Sequence, residues 1–417
     1  MQATKRAIAA VFLVLAFHAA PLQAQNLDKN QDLFPQPASF TTLITTPRAI
    51  EGLTGDNGDN LFVGGSGAAP CPIWKINLHS PSLTVVGNIP ATLATVCTLR
   101  GIAFDAAGNL FVADPTLGKI FTFAPDAGSP PNATLFASGV PGTNGIAFDS
   151  NGNLWTGDGT TGLGRVWKIT GGGANCAPAS LVNCTEVFRI QPMRNSTGLG
   201  GNVAGDGVGR QNRNFPPGTL TITSGTFPVT PAGGQDLVAN GVAFNRRGDL
   251  FIIDTARGAL WKAQFDDNGT LTSPAGCDTT FTANTLCLSN VVVAHPILEG
   301  GDGIVLDREE NIWVDANERN AIGLISKHGE VFEVFRNPVN AAGLRNSADP
   351  AVGNNHILEF PTSPVLNGTV FCTSQSDLDR RDNSPAAAGE ANGTTVLGKI
   401  SCMDQPVGIP GLPLPVR

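Results

Sequence analysis

The chain has 417 residues, of which 50 are Gly and 30 are Pro, only 14% are charged, and the formal net charge is −8. Long helices do not accommodate so much Gly and Pro in their interiors, so the composition favours an all-β protein. The acidic balance, without clusters of Lys or Arg, argues against a nucleic-acid partner.

Residues 1–25 have the layout of a secretory signal peptide. A basic start at Lys5 and Arg6 precedes an apolar stretch from Ala7 to Ala20, and small residues follow. We expect cleavage near Ala24, a single mature domain over residues 26–417, and a secreted or periplasmic protein. No later segment approaches 18 consecutive apolar residues, so the sequence predicts no membrane span.

One sequence motif, referred to below as the repeated phrase or hairpin phrase, recurs along the chain. It reads GIAFDAAGNLFVAD at 101–114, GIAFDSNGNLWTGD at 145–158, GVAFNRRGDLFIID at 241–254 and GIVLDREENIWVDA at 303–316. A weaker copy lies at 52–65, and a sixth at 361–374 keeps the turn and the second strand. Each copy is an apolar strand, a turn of Gly, Asn or Asp, and a second apolar strand, which is the pattern of a β-hairpin.

Further apolar segments follow each hairpin and supply a third and a fourth strand. Six such repeats predict an all-β, six-bladed β-propeller with four-stranded blades, because one hairpin cannot bury both of its faces. The last blade has a third strand at Val396 to Cys402 but no outer strand after it. The N-terminal segment Phe40 to Thr46 is predicted to supply that strand and so close the ring.

The interval between the third and fourth blades is longer than the others. Residues 191–236 are rich in Gly, Asn, Thr and Pro and carry no hairpin phrase, so we interpret them as an insertion. Two hypotheses stay open for this segment: a lid over the face where the inner strands begin, and a disordered surface loop.

All eight cysteines lie after the predicted cleavage point. In an oxidising compartment an even number of cysteines indicates disulfide bridges. The sequence alone permits 105 ways of pairing the eight cysteines, and their local spacing favours one set of four pairs. The expected pairs are Cys71–Cys97, Cys176–Cys184, Cys277–Cys287 and Cys372–Cys402.

The residue before the first Gly of each repeat is polar. These anchor residues are Glu51, Arg100, Asn144, Asn240 and Asp302. Equivalent positions of a propeller converge on the mouth of its central channel, so two carboxylates and two amide oxygens are predicted to meet there. Oxygen ligands of these kinds suit a hard divalent cation. The alternative is that each Asn-Gly or Asp-Gly pair is an ordinary turn dipeptide.

A Glu-Gly site near the N-terminus, two Asn-Gly sites and one Asp-Gly site, each opening an inner strand, resemble the senescence marker protein/gluconolactonase family of metal-dependent lactonases. The resemblance implies that Glu51, Asn144, Asn240 and Asp302 bind one Ca²⁺ or Zn²⁺ ion, with Ca²⁺ favoured by the oxygen ligands. It also implies that Asp302 is the catalytic base. The repeats also resemble NHL repeats, a propeller unit often used only for binding, and this resemblance concerns the scaffold and implies no particular chemistry.

The sequence therefore predicts an exported metal-dependent hydrolase that opens a cyclic ester, a small-molecule substrate. Second strands return to the same mouth, so the residues expected to contact substrate are Arg100, Asp114, Asp158, Asp254 and Arg257. For the three Asp residues the alternative is that they form turns. Two rival functions are a non-catalytic propeller that binds a protein or glycan and keeps Ca²⁺ for rigidity, and a metal-dependent lyase, for which histidines are expected in the catalytic strands.

Overall fold

The computed structural model describes residues 33–191, 239–276, 282–338, 345, 357–376 and 398–415. The predicted signal peptide, the insertion at 191–236 except Gln191, and Cys277 lie outside the described residues. Within them, no helix is long and apolar enough to cross a membrane.

Six antiparallel sheets form a ring, which confirms the predicted six-bladed propeller. The strands of each blade are given from the axis outward. Blade 1 consists of Leu53–Gly55, Asn60–Gly64, Cys71–Asn77 and Thr84–Ile89, and blade 2 of Ile102–Phe104, Leu110–Asp114, Lys119–Phe123 and Thr134–Ser138. Blade 3 consists of Thr143–Phe148, Leu154–Asp158, Arg165–Ile169 and Cys184–Ile190. Blade 4 consists of Ala239–Phe244, Leu250–Asp254, Ala259–Ala263 and Val291–Ala294. Blade 5 consists of Gly301–Leu306, Ile312–Ala316, Ala321–Ile325 and Val331–Arg336.

Blade 6 takes strands from both ends of the chain. Its strands are Pro361–Asn367, Val370–Gln375, Lys399–Met403 and Phe40–Thr45, and the last two pair from Phe40 opposite Met403 to Thr45 opposite Lys399. The predicted closing strand is therefore confirmed.

Short elements complete the fold. They are the strands Gly67–Ala68, Val96–Cys97, Ala174–Asn175 and Thr285–Leu286, and the 3₁₀ helices Leu288–Asn290, Pro296–Leu298 and Asn317–Arg319.

The repeated phrase folds as a hairpin because its turn carries its own hydrogen bonds. In blade 2 the Asp105 carboxylate accepts the backbone N–H of Asn109 at 2.8 Å, and Asn109 Nδ2 donates back to Asp105 at 2.8 Å. Gly108 between them has a φ of 86°, in the left-handed region that Gly adopts without strain. Asp149 and Asn153 make the same contacts in blade 3.

The second strands of the repeats are buried along their whole length in blades 2 to 5, since each has a neighbouring blade on both faces. Aromatic pairs fill four of the interfaces between blades in the described part of the chain. They are Phe62–Phe104, Phe111–Phe148, Trp155–Phe244 and Trp313–Phe371, with ring centroids 4.9 to 5.6 Å apart. Such pairs add to the energy of apolar burial.

Three predicted disulfides are present: Cys71–Cys97, Cys176–Cys184 and Cys372–Cys402. The last joins the second and third strands of the blade that closes the ring. The predicted partner of Cys287, Cys277, lies outside the described residues.

At the axis, the inner strands touch through glycine. A Cβ added to any of five glycines would meet the backbone of the next blade: Gly52, Gly101, Gly145, Gly241 and Gly303. On Gly241 it would lie 2.5 Å from the carbonyl oxygen of Asp302, and on Gly145 it would lie 2.7 Å from that of Asn240. Because no side chain fits there, these glycines set how closely the blades approach the axis.

Replacing Gly241 by Ala is therefore expected to lower the free energy of unfolding by about 1–3 kcal/mol, the usual cost of overpacking a rigid interior. Urea unfolding followed by tryptophan fluorescence measures it. Gly172→Ala is the control, since a Cβ there meets nothing closer than 3.7 Å. Equal stability of the two variants would contradict this account of the axis.

Candidate functional site

Three of the five anchor residues, Asn144, Asn240 and Asp302, lie in β-bulges of the inner strands. In blade 4, residues 239–242 of the inner strand pair with residues 252–254 of the second strand, so the inner strand holds one extra residue. Bulges at the same place in blades 3, 5 and 6 contain Asn144, Asp302 and Thr362. A bulge re-aims the side chain it carries and is frequent beside functional sites.

Three of the anchor dipeptides lie inside strands, not in turns. Asn144-Gly145, Asn240-Gly241 and Asp302-Gly303 fall within the first strands of blades 3, 4 and 5. None of these glycines has a positive φ. The turn interpretation is therefore wrong for these three pairs, and the close approach of the next blade explains their glycines.

The structure places all five predicted anchors in consecutive blades around one ring. Asp302, Glu51, Asn240 and Asn144 are only 5, 6, 6 and 8% exposed. Polar groups this buried require hydrogen-bond partners or an ion, because losing water without compensation costs free energy.

Asp302 lies among other acceptor groups. Asn317 Nδ2 donates to Asp302 Oδ2 at 2.8 Å, and the Oδ1 atom of Asn317 is buried without a hydrogen-bond partner. Asp315, fully buried, accepts from Thr373 Oγ1 at 2.6 Å through Oδ2, while its Oδ1 is also without a hydrogen-bond partner. Burial raises the pKa of Asp315 well above its ordinary value, and the charge of Asp302 raises it further.

These contacts fit a hard cation. The donor set at the anchors consists of carboxylate and amide oxygens, and orphaned acceptor oxygens lie beside Asp302. A divalent cation would offset the negative charge that Asp302 and Asp315 bring together. In the part of the chain that the structure describes, no three His, Cys, Asp or Glu side chains gather as a metal cluster, so such a site depends on its Asn oxygens.

Glu51 and Arg100 form an ion pair between blades 1 and 2. The Arg100 side chain is 26% exposed, against 8% for Glu51, so the guanidinium is the more accessible partner. From blade 6, the hydroxyl of Thr362 donates a hydrogen bond to the Glu51 carbonyl oxygen at 2.9 Å, and the hydroxyl of Ser374 donates to the same oxygen. The backbone that carries Glu51 is thus fixed from blade 6.

The other predicted substrate contacts are buried at the ends of second strands. Asp114, Asp158 and Asp254 each accept backbone N–H groups from the turn that follows. Asp254 also binds Arg257, with 2.8 Å between Oδ2 and Nη1. This is the turn-forming arrangement, and contact of these four residues with a substrate stays a prediction.

Sequence reasoning missed the residues that support the anchors. Thr255 and Asn317 are the first residues after the second strands of blades 4 and 5, and each contacts the anchor of its own blade. Asp315 was detectable, because the aligned position in blades 2, 3 and 4 holds Ala113, Gly157 and Ile253. A carboxylate at a position that is otherwise apolar or glycine marks an exception to the repeat.

Next to the anchors, the axial channel is apolar. A cavity of about 90 Å³ is lined by inner-strand residues of every blade, including Leu53, Ile102, Ile146, Val242 and Ile304. Leu414 and Pro415 lie against it, and Leu414 is tied to blade 1 by two hydrogen bonds with Asn57. Among the described residues that line this cavity, Thr54 is the polar one, so the cavity wall is mainly apolar.

Comparison with known families supports the predicted resemblance. The model of the SMP-30/Gluconolactonase/LRE-like region matches residues 204–343. This segment contains Asn240 and Asp302, whereas Glu51 and Asn144 lie outside it. No curated protein matches the chain.

Solved structures with a similar fold include a calcium-binding protein, regucalcin, from Agrobacterium tumefaciens, with 15% identity, a TM-score of 0.50, and coverage of 89% of this chain and 95% of that one. A gluconolactonase from Xanthomonas campestris has 12% identity and a TM-score of 0.46, covering 91% and 92%. Virginiamycin B lyase from Staphylococcus aureus has 13% identity and a TM-score of 0.41, covering 81% of each chain. At these identities the likeness concerns the fold alone.

The buried Asp315 predicts a pH dependence of stability. A raised pKa means that the folded state binds the proton of Asp315 more tightly than the unfolded state does. The contribution of Asp315 to the free energy of unfolding therefore falls as the pH rises above the ordinary pKa of 3.8. Asp315→Asn mimics the protonated acid and removes that loss. When both proteins are unfolded in EDTA at several pH values, the free energy of unfolding of the variant should increase relative to that of wild type as the pH rises.

Asp266→Asn is the matched control with the opposite sign. Backbone N–H groups of Thr270 and Asn268 lower the pKa of Asp266, so its charged form favours folding. The free energy of unfolding of this variant should therefore decrease relative to wild type as the pH rises. A constant difference between Asp315→Asn and wild type across the range would contradict the predicted protonation of Asp315.

Proposed function

We propose that the protein is a metal-dependent hydrolase of the lactonase type, which opens a cyclic ester to a hydroxy acid. The observation that carries the proposal is the set of buried oxygen-bearing side chains that precede the repeated glycines of four blades: Glu51, Asn144, Asn240 and Asp302. The matched family model, whose description includes gluconolactonase, supports a lactone as the substrate class.

When bound at these oxygens, a divalent cation, with Ca²⁺ preferred to Zn²⁺, supplies a Lewis acid that polarises the ester carbonyl. Asp302 is the general base in this proposal. Asn317 donates to its Oδ2 and so fixes the carboxylate that would accept a proton from an attacking water. Arg100, the more accessible partner in its ion pair with Glu51, binds an oxygen of the substrate in this proposal.

We also propose that the protein is exported after cleavage near Ala24. Three disulfides in the described chain support an oxidising compartment. Intact mass analysis of the protein recovered outside the cytoplasm should show the loss of about 24 residues expected from signal-peptide processing. Recovery of the full-length chain in the cytoplasm would contradict export.

The metal site is tested by Glu51→Ala and Asp302→Ala. Loss of one charged ligand is expected to weaken Ca²⁺ binding, measured by isothermal titration calorimetry, by about a hundredfold. Glu309→Ala is the control, since that carboxylate is exposed and forms an ion pair with Lys327. Undiminished binding by Asp302→Ala would show that the ligands are assigned wrongly.

The catalytic role is tested separately by Asp302→Asn, which keeps an oxygen ligand but removes the base. At saturating Ca²⁺ the variant should hydrolyse gluconolactone about 10²–10⁴-fold more slowly than wild type. Wild-type protein that binds Ca²⁺ but turns over no lactone would instead favour the non-catalytic propeller with a structural ion.

A further inference from the structure

Thr255 connects two neighbouring anchors. Its hydroxyl donates to the carbonyl oxygen of Gly301 at 2.6 Å, and Asn240 Nδ2 donates to the same hydroxyl at 3.3 Å. Its own carbonyl oxygen accepts from Gly300 N at 3.0 Å. Gly301 immediately precedes Asp302, so one 1%-exposed side chain ties the Asn240 amide of blade 4 to the backbone before the Asp302 anchor of blade 5.

The hydrogen-bond chemistry decides which way the Asn240 amide faces. A hydroxyl has one proton, and the short bond to Gly301 uses it. Only a donor can then approach Thr255, so Nδ2 of Asn240 faces the hydroxyl and Oδ1 lies on the opposite side of the amide. The reversed amide would place two acceptors against each other in a buried site.

The tether to the next blade recurs, but the contact with the anchor amide does not. Ser376, the residue after the second strand of blade 6, donates its hydroxyl at 2.9 Å to the carbonyl of Ile50, which precedes Glu51. Holding the next blade is thus a repeated structural role. Among the described residues, the added bond from an anchor amide to such a hydroxyl belongs to Thr255.

We propose that Thr255 is a positioning residue, which holds the Oδ1 atom of Asn240 in the orientation that binds the metal ion and fixes its distance from Asp302. The inference rests on the proposed function. Asn317 stands at the same place in blade 5 and donates to Asp302, so ligand orientation from this position occurs in two adjacent blades. Partners that orient metal ligands typically contribute ten- to a hundredfold to affinity.

The test compares wild type with Thr255→Val, which removes the hydroxyl at nearly constant volume, and Thr255→Ser, which restores it. Calcium affinity from calorimetry should fall about ten- to a hundredfold in Thr255→Val and return to within about threefold of wild type in Thr255→Ser. Thr285→Val is the matched control, since Thr285 is also 1% exposed but lies on the outermost strand of its sheet, where its hydroxyl bonds Thr282.

Thermal unfolding in EDTA checks that each variant folds without metal. Unchanged affinity in Thr255→Val, equal weakening in Thr285→Val, or failure of Thr255→Ser to restore binding would each overturn the positioning role. Wild-type protein that binds no divalent cation would overturn the proposed function, and the inference with it.

Discussion

The contact between a glycine and the next blade's carbonyl is the constraint from which the centre of the molecule is built. Each anchor is followed by Gly because the neighbouring strand leaves no room for a Cβ, as at Gly241 against Asp302. The contact involves backbone alone, so it holds the inner strands at one spacing whatever side chain precedes the glycine. Arg100 and the ligand candidate Asn144 therefore occupy equivalent places without changing the ring.

The bulges convert this regular scaffold into a polar site. One extra residue per inner strand gives Asn144, Asn240 and Asp302 the same local backbone in three successive blades. Their carboxylate and amide groups are almost buried, and residues that follow the second strands contact them: Thr255 bonds Asn240, and Asn317 bonds Asp302. In the proposed function, these two supporting residues orient the atoms that bind the ion.

Much of the architecture was predictable because the determinants are local. Each hairpin turn forms its own hydrogen bonds, as Asp105 and Asn109 do, so the repeated phrase reports the fold directly. The equivalence of the anchors follows from the repeat. The bulges and the role of Thr255 do not, since they depend on contacts between strands or blades far apart in sequence. The buried Asp114 shows the same limit, because a carboxylate at a strand end looks identical whether it holds backbone or ligand.

The outer strand of blade 6, Phe40–Thr45, comes from the N-terminal side of blade 1, and this affects how the molecule can unfold. In an open stack of repeats the terminal unit can fray while the rest stays folded. Here Phe40–Thr45 is hydrogen-bonded to Lys399–Met403, so detaching either segment exposes a strand edge and breaks the circle. Loss of structure at one terminus is thereby coupled to every blade, and the propeller should resist stepwise digestion from its ends until it opens as a whole.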